Sequence, residues 1–160
     1  MLDATIAILE ANRAKTLATL DRALELGDAT TVLGWRPEAN RAHVGWQLMH
    51  IAVTEEKFGF ARLHGADCPH PELIEAYGHG STPSDVAPSV EDIRSLLSST
   101  RADLIEAVRK LDGVDLDERP DSMSDRGWSY NDALRLLVWH EAHHQGQSHI
   151  TLNLYEAARS

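Results

Sequence analysis

The sequence lacks several features that define other protein classes. Its 160 residues include a single cysteine, Cys68, so no disulfide can form within the chain. One cysteine fits a reducing compartment, and we expect a cytoplasmic protein. The longest apolar runs are a few residues, far short of the ~20 that a membrane helix needs. The N-terminus MLDATIAILEANRAK has no basic segment followed by an apolar block, so neither a signal peptide nor a membrane segment is expected.

Positive charge is also scarce. Lys and Arg number 15 against 25 Asp and Glu, which gives a formal net charge of -10. Such a chain repels polyanions, so we expect no general affinity for nucleic acid or for anionic lipid. Apolar residues make up 42% of the chain, enough for a globular core. The length predicts one domain over residues 1–160.

No stretch alternates apolar and polar residues as a half-buried strand does. Apolar residues instead recur at helical spacing in four segments. The first ends near Gly27, the second runs from after Asn40 to about His64, the third from the cap Ser89 to Gly113, and the fourth from the cap Ser129 to about Ala157. Ser129 with Asp132 approximates a capping box.

The segments between these helices are predicted to be loops. One contains Gly34 and Pro37, and another contains Pro120 and Gly127. The stretch 65–88 holds four of the six prolines and three glycines, so it is expected to be a long loop with one short turn of helix. Four amphipathic helices with two long connecting loops predict an all-α four-helix bundle, in which ligand and metal sites are built from facing helices.

The stretch WHEAHHQGQSH at 139–149 contains four of the nine histidines. Because an α-helix turns about 100° per residue, His144 lies about 40° from His140 and one turn along, so the two rings are neighbours. His143 lies about 60° to the other side, and could be an alternative ligand. Gln147 lies on nearly the same side of the helix as His140 and is a candidate for orienting a substrate. A histidine pair of this kind is half of a metal site.

A catalytic metal generally has three protein ligands and an open position, so a third ligand must come from another helix. His50, in the middle of GWQLMHIAVTEEKF, is the best candidate, and His43 is another. Trp46, Thr54 and Lys57 share the helical face of His50, so we expect them to bind a substrate or cofactor. The alternative is that these histidines are hydrogen-bonded core residues that bind no metal.

The motif His140-Glu141-x-x-His144 also matches the pattern of zinc proteases, in which the glutamate acts on bound water. The extended protease pattern would need Gly at 147 and His at 150, where this chain has Gln147 and Ile150. A protease is therefore only a remote alternative. Glu141 remains a candidate base, although it lies about 100° from His140 around the helix.

The remaining polar residues of note are expected to be solvated. These are the histidines His43, His64, His70, His79 and His149 and the pair Glu55 and Glu56.

A mid-helix histidine followed roughly ninety residues later by H-x-x-x-H and Gly-Gln resembles the DinB-like (DinB/YfiT) superfamily of bacterial metal-binding four-helix bundles. The matching residues are His50 in WQLMHIA, and His140, His144, Gly146 and Gln147 in HEAHHQGQ. The resemblance covers nearly the whole chain and implies His50, His140 and His144 as ligands of a divalent metal, zinc or nickel foremost. One departure is Gln145, where the family often has Arg.

The resemblance leaves the reaction open. Characterised relatives include S-transferases and isomerases that use low-molecular-weight thiols, and metal-dependent hydrolases, all acting on small molecules. We therefore expect a metal-dependent S-transferase or hydrolase, with Lys57, Arg41 and Arg135 as candidates for holding a thiol cosubstrate. The competing hypothesis is a non-catalytic metal-binding bundle with a stress or sensor role. A homodimer is a further expectation, since relatives often pair through bundle faces.

Overall fold

The computed structural model describes residues 1–39 and 41–159, and these residues form helices and loops without a strand. The all-α four-helix bundle predicted from the sequence is confirmed. Asn40, predicted to precede the second long helix, lies outside the described residues. The helices are α1 (Leu2–Glu25), α2 (Ala29–Gly34), α3 (Val44–Lys57), α4 (Pro71–Tyr77), α5 (Val90–Arg109) and α6 (Tyr130–Ala157). None of them is both long and apolar enough to span a bilayer.

Side-chain caps fix where two of the long helices begin. The hydroxyl of Ser129 accepts from the Asp132 N–H at 3.2 Å, and the Asp132 carboxylate accepts from the Ser129 N–H at 3.0 Å. This is the capping box expected at the start of α6. The hydroxyl of Ser89 accepts from the Asp92 N–H at 3.0 Å and starts α5 in the same way.

A histidine caps α3. The Nδ1 atom of His43 accepts from the Trp46 N–H at 3.0 Å, and its Nε2 lies 3.1 Å from the Ser84 carbonyl, to which it donates. The expectation that His43 lies on the surface is therefore wrong, since its side chain is fully buried. One imidazole satisfies a helix N-terminus and ties down the loop after α4 at the same time. Burial lowers the pKa of His43, which keeps Nδ1 free to accept.

The loop predicted after α1 contains a helix. The Asp28 carboxylate accepts from the Thr31 N–H at 2.9 Å, which caps the six-residue α2. Asp28 is a favourable N-cap residue. The helix that follows it is too short to show an apolar stripe, so its sequence alone did not predict it. The short α4, by contrast, lies inside the long 65–88 connection as expected.

Beyond Lys57 the chain of α3 continues as a π-helical segment, Phe58–Arg62. A π-helical segment widens the helix by one residue per turn and is frequent at functional sites. Two of its residues, Phe58 and Arg62, reach the wall of the cavity described below. The second predicted helix therefore extends to about His64 as expected, but not as a uniform α-helix.

The apolar core is divided into two clusters, one toward each end of the bundle. In the bundle, α3 packs against α5 and α6, and α1 packs against α6. The first cluster includes Leu20, Leu48, Ile51, Ile93 and Leu152, and the second includes Leu9, Phe58, Leu104, Val108 and Leu137. Along each long helix, buried polar residues lie between the two clusters.

Four of those polar residues form what we call the buried charge cluster: Arg13 of α1, Glu55 of α3, Arg101 of α5 and Glu141 of α6. Arg13 pairs with Glu55 at 2.7 Å and with Glu141 at 2.8 Å, and Arg101 pairs with both carboxylates. No side chain of the four is more than 8% exposed. The expectation that Glu55 is solvated is therefore wrong, because two arginines from facing helices neutralise it inside the bundle.

Candidate metal centre

Three histidines from two helices converge beside the buried charge cluster. His50 of α3 meets His140 and His144 of α6, and one ligand nitrogen from each lies within 4.8 Å of the others. The Nε2 atoms of His50 and His140 are 3.1 Å apart. The structure thus brings together the three residues that the sequence singled out. His43 and His143 do not belong to this group.

Hydrogen bonds orient two of these rings. The Nδ1 of His50 lies 2.7 Å from the Tyr77 carbonyl, which can only accept, so Nδ1 carries the proton. The Nδ1 of His144 contacts the amide oxygen of Gln47 in the same sense. Both rings therefore present an unprotonated Nε2 to the centre of the group. Second partners of this kind, which fix the tautomer, are a regular feature of histidines that ligate metals.

The three imidazoles are neutral at physiological pH. Burial, followed by the neighbouring histidines, lowers the pKa of His140 to about 3. Burial and the nearby His50 likewise lower the pKa of His144 to about 3. Burial also lowers the pKa of His50. Neutral imidazole is the form that binds a metal, so these three residues could hold a metal ion.

The histidine group lies on the wall of a cavity of about 420 Å³. Trp46 forms part of that wall, and its ring stacks on His50 with centroids 4.7 Å apart and planes 10° from parallel. Thr54 and Lys57, one and two turns further along α3, also line the cavity. The three residues expected to contact a ligand therefore line the same cavity as the three histidines. A cavity of this size holds a small molecule.

A family model described as the DinB superfamily matches residues 8–148, a range that includes all three histidines. The chain belongs to the DinB superfamily. Comparisons with curated proteins and with solved structures found no significant match. The resemblance noted in the sequence is confirmed at the level of the family.

In this DinB-superfamily protein neither of the two residues expected to be catalytic lines the cavity, although the side chain of Gln147 contacts His143 and His144. Glu141 belongs to the buried charge cluster, where Arg13 and Arg101 hold its carboxylate. Its position in the helix turns it from the cavity, which argues against its use as a base. Gln147 is not among the residues that line the cavity. Its Nε2 lies 3.0 Å from Nε2 of His143.

Of the three basic residues proposed to hold a thiol, only Lys57 lines the cavity. Arg41 is exposed and lies 3.8 Å from the carboxylate of Glu38. Arg135 lies in a shallow surface depression beside Trp139. The arginines that line the cavity, Arg62 and Arg126, were not predicted from the sequence.

Gln47 is the main functional residue that the sequence analysis missed. It lies one turn before His50 on α3 and is 8% exposed, so an amide is buried in a helix that is otherwise mostly apolar. A buried amide needs a partner, and its position one turn from a suspected ligand was the available signal. The other orienting group, the Tyr77 carbonyl, is backbone and left no trace in the sequence.

Two features hold that carbonyl in place. The buried Glu56 carboxylate accepts from the His70 N–H at 2.8 Å and pairs with His70 Nδ1 at 2.7 Å, which anchors the start of α4. The expectation that Glu56 is solvated is wrong for this reason. At the other end, a Cβ at Gly78 would lie 2.2 Å from the Ile74 carbonyl oxygen, so only glycine fits there. The start of α4 is thus anchored to α3 by Glu56, and its end by the hydrogen bond from His50 to the Tyr77 carbonyl.

Proposed function

We propose that this protein is a metal-dependent enzyme that acts on a small molecule, with a divalent cation held by His50, His140 and His144. One observation supports the proposal above all: the three ligand nitrogens converge at the wall of an open cavity, not inside a closed core. A structural metal site is normally closed by four protein ligands, whereas a catalytic one keeps a position open.

A divalent cation bound there supplies one kind of chemistry, because it lowers the pKa of a thiol or a water molecule that it contacts. The protein's own residues prepare the place. Gln47 and the Tyr77 carbonyl hold two ligand rings in the required tautomer. Trp46 covers one face of His50 and limits the access of water from that side. Neutral rings leave the whole charge of the cation available to the substrate.

Transfer to or from a thiol is the reaction class that we favour over hydrolysis. Hydrolysis generally uses a base to take the proton of water, and Glu141 is engaged with Arg13 and Arg101. Among the described residues that line the cavity there is no Asp or Glu. A thiol is acidic enough to ionise on a cation without such a base. The hydrolase remains a second candidate, with His79 or His143 on the cavity wall as the base.

Metal content is the first test. Tag-free wild-type protein is compared with His50→Ala and His144→Ala by plasma mass spectrometry, with His149→Ala, an exposed histidine outside the group, as the matched control. We expect about one metal per chain in wild type and control, and loss in both ligand variants, since two imidazoles hold a cation poorly. No metal after reconstitution would overturn the proposal.

Activity is the second test. Metal-loaded protein is screened for transfer of low-molecular-weight thiols to small electrophiles and for hydrolysis of small esters and amides. Activity that disappears in His144→Ala and survives in His149→Ala supports the enzyme. A loaded protein that is inactive in both screens would favour the non-catalytic metal-binding bundle.

A further inference from the structure

The wall of the cavity carries charge of the sign opposite to that of the protein. The chain as a whole has a net charge of -10. The cavity, however, is lined by the cationic side chains of Lys57, Arg62 and Arg126, and no carboxylate is among its described lining residues. A cationic concavity in an acidic protein attracts anions by its local field.

Only one of these three cations is neutralised by a close partner. Arg62 binds both oxygens of Asp125, at 2.6 and 3.0 Å. The guanidinium of Arg126 lies over the ring of Trp128, with its central carbon 5.1 Å from the ring centroid. Neither Arg126 nor Lys57 has a carboxylate within ion-pair distance in the described part of the chain. Two cationic groups at the cavity are therefore left for a ligand.

The distance between Lys57 and the histidines sets the length of a ligand that can contact both. Lys57 follows His50 by two turns of α3, so the two residues share a face and lie about 10 Å apart along the helix axis. Between them α3 lines the cavity with Val53 and Thr54, and aromatic side chains form much of the remaining wall. The cavity thus has a metal-binding end and a cationic end about 10 Å apart along α3, with a largely apolar and aromatic wall.

We infer that the substrate is an anionic small molecule whose anionic group is separated by an apolar segment from the group that reacts at the metal centre. Lys57 and Arg126 bind the anionic group, and the aromatic side chains pack against the segment. The assignment of the reacting end rests on the proposed function, whereas the anion site at the cationic end does not need the metal. The inference adds the charge and the approximate length of the substrate.

A matched pair of probes tests it by isothermal titration calorimetry. The probes are 5-phenylpentanoate and its neutral amide, 5-phenylpentanamide, which share the apolar segment and differ in charge. Each is titrated into metal-free and metal-loaded wild type, Lys57→Gln, Arg126→Gln and the control Lys15→Gln. Lys15 is an exposed lysine of α1 outside the cavity, so its substitution makes the same change in net charge.

In wild type we expect the acid to bind at least about tenfold more tightly than the amide, because a charge-assisted hydrogen bond is worth roughly twice a neutral one. Lys57→Gln and Arg126→Gln should each remove most of that preference, and Lys15→Gln should keep it. Equal affinities of acid and amide, an equal effect of Lys15→Gln, or no measurable binding of the acid would overturn the inference.

Metal content separates the failure of this inference from the failure of the proposed function. If the chain binds no metal but metal-free protein prefers the acid in a Lys57-dependent way, the anion site is supported and the metal-dependent enzyme is rejected. If the chain binds metal through the three histidines but shows no preference for the acid, the metal centre is supported and the anionic substrate is rejected.

Discussion

The Nε2 atoms of His50 and His140 lie 3.1 Å apart, although the two residues are 90 positions apart in the chain. Since the Nδ1 proton of His50 is already given to the Tyr77 carbonyl, its Nε2 accepts, and His140 is the donor of this bond. This hydrogen bond joins α3 and α6, the two helices that supply the candidate ligands, as does the one between His144 and Gln47. A cation held by the three rings would take the place of the proton between His50 and His140.

Replacing Gln47 tests whether the orientation of His144 matters to the metal. In Gln47→Leu the Nδ1 proton of His144 has no acceptor, so we expect metal affinity to fall by about 10- to 100-fold, the usual cost of losing such a partner. In Gln47→Glu an acceptor is retained, and affinity should stay near that of wild type. The affinities are measured by competition with a chromophoric chelator.

The matched control is Gln145→Leu, because Gln145 is an amide of α6 that donates to Thr19 at 2.9 Å and does not touch the histidines. Its affinity for metal should be unchanged. If Gln47→Leu also binds as tightly as wild type, the hydrogen bond to His144 has no role in holding the cation.

Substitution of Glu141 separates a structural from a catalytic role. In Glu141→Gln, Arg13 and Arg101 are left with Glu55 alone, and removing one partner of a buried ion pair costs about 3 to 5 kcal/mol. We expect a loss of that order in the free energy of unfolding, measured in urea, with metal content unchanged. The exposed Glu10→Gln should have almost no effect. A variant of normal stability that has lost hydrolytic activity would restore Glu141 as a base.

The metal-free protein should lose stability in mild acid. His140 and His144 have a pKa of about 3 in the folded state against roughly 6.5 when unfolded. Their pKa values are lowered by folding, so between these limits the unfolded chain binds more protons. The stabilisation is complete above about pH 6.5 and decreases as the pH falls, by up to about 1.4 kcal/mol per pH unit for each histidine.

Urea unfolding of metal-free protein at pH 7.5, 6.0 and 5.0 measures this slope. Removing one titrating group in His144→Gln should make the decrease shallower than in wild type, and the exposed His149→Gln should not change it. Equal slopes for wild type and His144→Gln would show that His144 is not held neutral by the fold.

Two glycines of the chain predict opposite responses to alanine. A Cβ at Gly146, within α6, meets nothing within 4 Å. Gly146→Ala should therefore raise the free energy of unfolding by about 0.5 to 1 kcal/mol, the difference in helix propensity. Gly78→Ala should lower it, because the new Cβ displaces the end of α4. Since the Tyr77 carbonyl moves with that end, metal affinity should fall too.

Thermal unfolding and chelator competition measure both variants. A destabilising Gly146→Ala would indicate that α6 closely contacts something outside this chain at that point, such as a second copy. An unchanged metal affinity in Gly78→Ala would show that His50 is oriented without the Tyr77 carbonyl.

The sequence was sufficient for the helices and the histidines because both follow from periodicity. A rise of one turn places His144 beside His140, and the mid-helix position of His50 points it inward. Periodicity on one helix, however, does not report what a facing helix offers. Glu55 was therefore assigned to solvent, since its partners Arg13 and Arg101 are far away in the chain. Arg13, one turn after Leu9 and one turn before Leu17, was a clue to a buried carboxylate.

Loops limited the prediction for a different reason. His43 caps a helix whose start depends on the loop around Ser84, and the Tyr77 carbonyl belongs to a short helix inside a long connection. His43 binds backbone groups of Trp46 and Ser84, and Tyr77 acts through its own carbonyl, and backbone groups carry no side-chain signal. Arg126 was not predicted either, because it lies in the connection before α6, where helical spacing does not apply. The three histidines on the long helices were thus found from spacing, whereas Gln47 on the same helices and the residues brought in by the connections were not.

The buried charge cluster also bears on the order in which the bundle assembles. A folding intermediate in which α1, α3 and α5 had packed without α6 would bury Arg13 and Arg101 against Glu55 alone. With two cations against one carboxylate, excluding water from this group before α6 packs would be costly. Complete burial of the three helices therefore depends on α6, which brings Glu141. The same step carries in His140 and His144, so the ligands meet only in a chain that has completed folding.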